Sequence, residues 1–370
     1  MILEQLRTRL TAVDQELIAL IAERQRIIAE IGEHKFQTSV PTRDYDRERE
    51  VLSGARKRAD ELGLEPDLAE RIMRELIRAS LTHQERSRVA AGSSGAGKRA
   101  LIIGGAGKMG GWFAEFLASQ GYDVEIADPV QARSAFARIE DWRASDLGHE
   151  LIVVATPMKV ANEVLLGLAQ RRPAGVVLDL GSLKSPLRTG LKALVDAGCK
   201  VTSLHPMFGP DTRLLSERHV IVIDLGDREA TEYAKGLFAS TMATLVEMGV
   251  DEHDRLAAYV LGLSHALNLV FFTALAASGE LVPRLQNISS TTFDAQLDVA
   301  RRVAMDNPHL YFEIQAFNDF GAESLRALEQ ATTRLIALIE TKDEEGFLEL
   351  MLSGREYMQR RSGSDTLRAS

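Results

Sequence analysis

The sequence holds a single cysteine, Cys199, in 370 residues. One thiol excludes an internal disulfide framework and suits a reducing cytoplasm. An excess of positive charge is also missing. The chain has 44 lysines and arginines against 53 acids, a formal net charge of −9, which argues against a generic partner of nucleic acid or of an anionic membrane surface. The first residues, "MILEQLRTRLTAVDQELIALIAERQRIIAEIGEHK", mix apolar and charged positions without an uninterrupted apolar run, so neither a signal peptide nor a membrane span is expected. No solenoid-type repeat is visible, and no metal site is expected. What remains is an ordinary apolar content of 45% and a length that suggests roughly two or three domains.

The texture changes along the chain. Residues 1–90 read as all helix: Leu3, Leu6, Leu10, Val13, Leu17 and Leu20 recur at three/four spacing, and the pattern continues to about Ile31. A second helix is predicted after Pro41 and a third from about Pro66 to Arg86. The small residues of "AAGSSGAGK" place a flexible linker at 91–98. From Arg99 short apolar runs ("ALIIGG", "DVEIAD", "LIVVAT", "GVVLDLG", "VIVIDL") alternate with helical patterns, which predicts βαβ units and a mostly parallel, Rossmann-type sheet over 99–249. Residues 250–370 read as amphipathic helices ending in a polar tail. The expected architecture is therefore an all-α module, an α/β dinucleotide domain and a C-terminal all-α domain.

Charges fall where the helical module should be dry. In "PTRDYDRERE" (41–50), Asp44, Arg47 and Glu48 lie at i, i+3 and i+4 on a stripe that continues to Val51 and Leu52. A solvated face is the plain reading of such a run. Yet Arg24 continues the stripe of the first helix, and Lys35, eleven residues on, shares its face. On the third helix Met73, Leu76 and Ile77 lead to Ser80 and Gln84. A buried charge without a partner costs several kcal/mol, and snorkelling explains one such residue better than several. Converging polar faces predict a cavity for a small anion.

This segment resembles the AroQ-type chorismate mutase domain, an intertwined all-helical homodimer, over essentially all of residues 1–90. The resemblance implies that Arg24 and Arg47 hold carboxylates with help from the partner subunit's Arg7, and that Asp44 and Ser80 complete the pocket. It places Lys35 and Gln84 on the ether oxygen and Glu48 on the ring hydroxyl. The conversion of chorismate to prephenate involves no proton transfer and no nucleophile, so such a pocket acts by folding the substrate and stabilising charge on that oxygen.

"LIIGGAGKMGG" gives Gly105-x-Gly107-x-x-Gly110 after a strand and at the opening of a helix, with Asp128 ending the next strand about 20 residues on. That spacing suits a pyrophosphate at a helix N-terminus and a carboxylate on a ribose 2′-hydroxyl, favouring NAD over NADP. Lys108 and Met109 within the loop and Thr156, the last residue of "LIVVAT", complete the expected cofactor contacts. "DLGSLKSPL" (179–187) and "SLHPMFGPD" (203–211) each follow a strand. With the glycine loop they resemble prephenate dehydrogenase across residues 99–370. By that resemblance His205 is the catalytic partner of the substrate's ring hydroxyl, Ser182 orients it beside the nicotinamide, and Lys184 and Arg302 help hold substrate. Asp294 stands where the enterobacterial bifunctional enzymes carry a second arginine, and His265 falls in a family-like stretch without being assigned a role.

The two resemblances imply a cytoplasmic, homodimeric, bifunctional chorismate mutase–prephenate dehydrogenase of tyrosine biosynthesis. Its partners would be chorismate, prephenate and NAD, with tyrosine as a candidate effector. Two alternatives stay open: the same fold acting on arogenate or 4-amino-4-deoxyprephenate, and a mutase module kept only as an effector sensor.

Overall fold

The computed structural model describes residues 2–38, 40–92, 94–131 and 134–360. It opens with three helices: α1 (Ile2–Gln37), α2 (Tyr45–Glu61) and α3 (Pro66–Gly92). Proline at the first position of α3 costs nothing, because that N–H has no intrahelical partner in any case. α3 runs past the expected end at Arg86 and takes up the start of the expected linker. The reason is packing: Val89 is buried in the core of the sheet that follows. No residue of α1 is fully buried, although Arg24, Ile28, Ala29, Gly32 and Lys35 are partly covered.

The sheet-bearing segment comprises β1 (Arg99–Ile103), α4 (Lys108–Ser119), β2 (Asp123–Ala127), β3 (Ala137–Ile139), β4 (Leu151–Val154), α5 (Met158–Arg171), β5 (Val176–Asp179), α6 (Arg188–Asp196), β6 (Val201–Pro206), β7 (His219–Ile223), α7 (Arg228–Gly236) and β8 (Thr244–Met248). The strands form one sheet in the order β3-β2-β1-β4-β5-β6-β7-β8. All neighbours are parallel except β6 and β7, which are antiparallel. Along β1, Ala100 and Ile102 belong to one core cluster while Leu101 and Ile103 belong to the other. Both faces of the sheet are therefore covered, and its central strands read as continuous apolar runs rather than alternating ones. The chain travels outward from β1 to β2 and β3, then crosses to β4 on the other side of β1, which opens a crevice at the carboxyl ends of β1 and β4.

Residues Met1–Val250 form one compact unit and Asp251–Ser370 a second. The helical module thus packs with the sheet, and the contact is polar as well as apolar. The Glu85 carboxylate, on α3, accepts hydrogen bonds from the backbone N–H of Leu215 at 2.8 Å and of Met242 at 2.6 Å. Burial raises the Glu85 carboxyl above its ordinary value, and those two donors oppose the rise.

In the second unit α8 (Val250–Ala257) passes through a π-helical stretch into α9 (Ser264–Ala277), followed by α10 (Val282–Gln286), α11 (Thr291–Ala304), α12 (Pro308–Ala316), α13 (Gly321–Glu340) and α14 (Glu344–Gln359). The continuous helix Val250–Ala277 is long and apolar enough to cross a membrane, and only 17% of its most apolar window is buried. The expectation of no membrane span was read from the N-terminal residues, and this helix lies outside them.

Candidate functional site

A cavity of about 300 Å³ lies between α1 and α3, lined among others by Gly32, Lys35, Thr42, His83, Gln84 and Arg88. Helical spacing puts Gln84 and Arg88 on one face of α3. Gly32 is what lets α1 come close, since a methyl group there would sit 3.0 Å from Gln84 Cγ. The Gln84 Oε1 is buried without a hydrogen-bond partner, an acceptor left for a donor on a ligand. Lys35 Nζ donates to the Thr42 carbonyl at 3.0 Å and Arg88 donates to the Thr42 hydroxyl at 2.9 Å, drawing the segment after α1 over the cavity as a roof. Arg24 stands further up the same helix faces, donating to Ser80 Oγ at 2.7 Å and to the Leu76 carbonyl. Burial lowers its pKa.

The remaining charges expected here lie elsewhere. Asp44 caps α2, accepting from the Arg47 N–H at 3.0 Å, a stronger claim on a short acid at a helix start than a ligand's. Arg47 is exposed and pairs with Glu50. Glu48 does not line the cavity and is bound at both oxygens by Arg43. Arg7 is exposed near Glu4. It lies seventeen residues before Arg24, about 26 Å along the helix axis, and so does not reach the pocket of its own chain.

A second cavity, about 750 Å³, occupies the crevice of the sheet and is lined by Gly104, Ala106, Gly107, Asp128, Arg143 and Thr156 among others. Gly104, absent from the expected set, has φ +89°, and a Cβ there would meet the Ala155 backbone at 2.7 Å. Of the expected glycines only Gly107 lines the cavity. Gly105 packs on Ile126 and Gly110 on the Gly104 carbonyl, so these two are packing glycines that let the loop, strand and helix meet. Lys108 and Met109 open α4 outside the cavity wall; their contribution is the free N–H groups of a helix start. Asp128 accepts from the backbone of Ala106 at 3.0 Å and Val130 at 2.9 Å, which pins the loop and leaves lone pairs on both oxygens. Thr156 Oγ1 is buried without a partner. A glycine cradle that a Cβ would fill, a pinned carboxylate and an orphaned hydroxyl fit a dinucleotide.

Because β2, β1, β4, β5 and β6 are mutually parallel neighbours, their carboxyl ends follow one edge of the sheet. Asp128, Gly104, Thr156, Ser182 and His205 are met along it in that order. His205 belongs to β6 itself, opposite Ile221 of β7, and is 4% exposed. Ser182 is half-buried in the loop after β5. Lys184 is corrected from substrate ligand to scaffold. Its amine is completely buried and donates to Asp179 Oδ1 at 2.9 Å, the Gly181 carbonyl at 2.7 Å and the Leu204 carbonyl at 2.9 Å. It thereby ties the Ser182 loop to the residue just before His205.

Comparisons with known proteins agree with this geometry. The type II chorismate mutase family matches residues 6–85, the nucleotide-binding domain of prephenate dehydrogenase 119–247, and the dimerization domain of prephenate dehydrogenase 250–353. The glycine loop precedes the second of these stretches. The 4-amino-4-deoxyprephenate dehydrogenase of Streptomyces pristinaespiralis is 30% identical over 68% of this chain and 88% of its own. The chain belongs to the prephenate dehydrogenase family. A T-protein from Enterobacter agglomerans is 29% identical over 94% of this chain and 90% of its own, so the likeness extends through the mutase module. The fold is that of the prephenate dehydrogenase from A. aeolicus solved in complex with hydroxyphenyl propionate and NAD+, with a TM-score of 0.56 and 19% identity over 72% of this chain and 99% of that one.

In the dehydrogenase's second unit, Arg302 is exposed near the end of α11 and Asp294 is hydrogen-bonded by Ser289. His265 stacks on Tyr311 with ring centroids 4.1 Å apart, and burial lowers its pKa. Arg88 and Gly32 were missed in the sequence although Arg88 follows Gln84 at helical spacing. Arg143 gave no signal of its own.

Proposed function

We propose that the chain catalyses two consecutive reactions, the rearrangement of chorismate to prephenate in the α1/α3 cavity and the NAD-dependent oxidative decarboxylation of prephenate to 4-hydroxyphenylpyruvate at the sheet edge. The observation that carries this reading is the pair of separate cavities in one unit, one lined by cations and an unpartnered amide, the other built from a glycine loop with His205 along the same edge.

In the first cavity the ammonium of Lys35 and the Nε2–H of Gln84 would donate to the ether oxygen that gathers negative charge, the Gln84 Oε1 being an acceptor, and enclosure between helices keeps the substrate folded. In the second, Gly104, Gly107, Asp128 and Thr156 would hold NAD, which when bound supplies the hydride acceptor. Counting three strand spacings, β6 lies about 14 Å along the edge from β1, on the side away from Asp128. A dinucleotide with its adenosine ribose at Asp128 therefore extends toward Ser182 and His205. The neutral imidazole of His205 accepts the ring hydroxyl's proton as the C4–H bond breaks, and loss of CO₂ leaves an aromatic ring. The Lys184–Asp179 pair keeps the two loops in register.

A homodimer is part of the proposal. α1 exposes Leu3, Leu6, Leu10, Val13 and Leu17 along one stripe, the match to a dimerization domain covers the apolar α8–α9 helix, and the partner subunit's Arg7 would complete the mutase pocket. Cys199, free and buried, suits a cytoplasmic location. The test is a steady-state assay that starts from chorismate with NAD+. Chorismate consumption followed by NADH formation is expected, and NADH formation faster with arogenate or 4-amino-4-deoxyprephenate than with prephenate would overturn the substrate assignment. Addition of tyrosine to the same assay tests it as an effector.

A further inference from the structure

Arg43 occupies a position that neither reaction needs on its own. Its guanidinium donates through Nε to Glu48 Oε1 at 2.9 Å and through Nη2 to Glu48 Oε2 at 3.0 Å, a two-pronged pair inside the helical module. The third nitrogen leaves the module: Nη1 donates to Ser216 Oγ at 2.7 Å and to Glu217 at 2.8 Å. Ser216 is buried, and Glu217 holds a left-handed backbone at φ +63°, a conformation unusual for a residue with a Cβ. The Tyr45 ring lies 4.3 Å from the guanidinium carbon. Hydrogen bonding to Glu48 is the largest influence raising the Arg43 pKa, with Glu217 and Tyr45 acting the same way and burial opposing them. The guanidinium's fork is thus committed on both sides, and its planar geometry makes the arrangement rigid.

Arg43 directly follows Thr42, the residue whose carbonyl receives Lys35 and whose hydroxyl receives Arg88 over the mutase cavity. Fixing Arg43 fixes that roof. Ser216 and Glu217 belong to the segment between His205 and β7, in the dehydrogenase module. We propose that Arg43 is a positioning residue for the mutase cavity, held in place by Ser216 and Glu217, so that the dehydrogenase module supplies part of the framework of the mutase site. This rests on the reading of the α1/α3 cavity as the mutase site.

The test uses the full-length protein with chorismate as substrate. Ser216→Ala combined with Glu217→Ala is expected to raise the mutase KM about three- to tenfold, because a loosened roof weakens ground-state and transition-state binding alike. Both kcat and the dehydrogenase rate with prephenate should stay within about twofold. Partial unfolding would instead lower kcat in both assays. Arg43→Ala should raise KM at least as much, and adding the Ser216→Ala and Glu217→Ala changes to it should produce no further rise, since one interaction cannot be lost twice. Additive effects, or an unchanged KM in the Ser216→Ala/Glu217→Ala protein, would overturn the proposal. A wild-type protein that consumes no chorismate would overturn the mutase reading itself, and this inference with it.

Discussion

Exchanging the imidazole of His205 for an amide separates the two reactions. His205→Asn is expected to lower NADH formation from prephenate by about two to four orders of magnitude, with chorismate consumption unchanged, and Lys35→Ala should do the reverse; stopped assays on each substrate check both. Acid stability offers another residue-level test. Burial, with the nearby Arg99 charge, holds the His149 imidazole below its usual 6.5. As pH falls through 6.5, the unfolded chain binds a proton that the folded chain refuses. Stability therefore drops on the acid side, by at most about 1.4 kcal/mol per pH unit for one site. His149→Gln should flatten that slope in urea titrations run between about pH 6.5 and 5. At this scale the sequence led to Gln84 and Lys35 on one cavity wall and to His205 at the sheet edge, through the neighbours that mark them. A charge pattern did not reveal that the Lys184 amine bonds Asp179, Gly181 and Leu204, or that Asp44 caps a helix.

The junction of β1, the glycine loop and α4 shows how little room an element has. A Cβ on Gly110 would run into the Gly104 carbonyl, so Gly110→Ala must push α4 away from β1. The expected result is NAD affinity lowered at least about tenfold and stability reduced by about 1–3 kcal/mol, the usual cost of overpacking, as read by NAD titration and thermal unfolding. Central strands such as β1, β4 and β5 were legible because cover on both faces leaves uninterrupted apolar runs. β3 and β8, partly exposed at the two edges of the sheet, gave no such run. β6 is buried throughout but carries Thr202, Ser203 and His205, and its polar residues made His205 look like a loop residue beyond the strand. The end of α3 was hidden for a related reason: the burial of Val89 is paid for by a partner that lies later in the chain.

At the scale of the whole molecule the proposed homodimer is itself testable. If the partner subunit's Arg7 serves each mutase pocket, Arg7→Ala and Lys35→Ala proteins should both be nearly inactive as mutases. Mixed, unfolded and refolded together, they should recover about a quarter of wild-type activity, since half the dimers are mixed and each mixed dimer has one intact site of two. No recovery would assign Arg7 to its own chain or to no pocket. Fusion into one chain was legible from composition, but the packing of the helical module on the sheet was not, because Glu85 meets backbone N–H groups that no side-chain pattern records. The bare stripe of α1 has a consequence for biogenesis. Each apolar side chain along it forgoes about 1.5–3 kcal/mol until something covers it, and α1 is synthesised before every element that follows it. If a second copy is what covers it, this helix is locked only on assembly, and neighbouring nascent chains on one polysome would offer it that cover early.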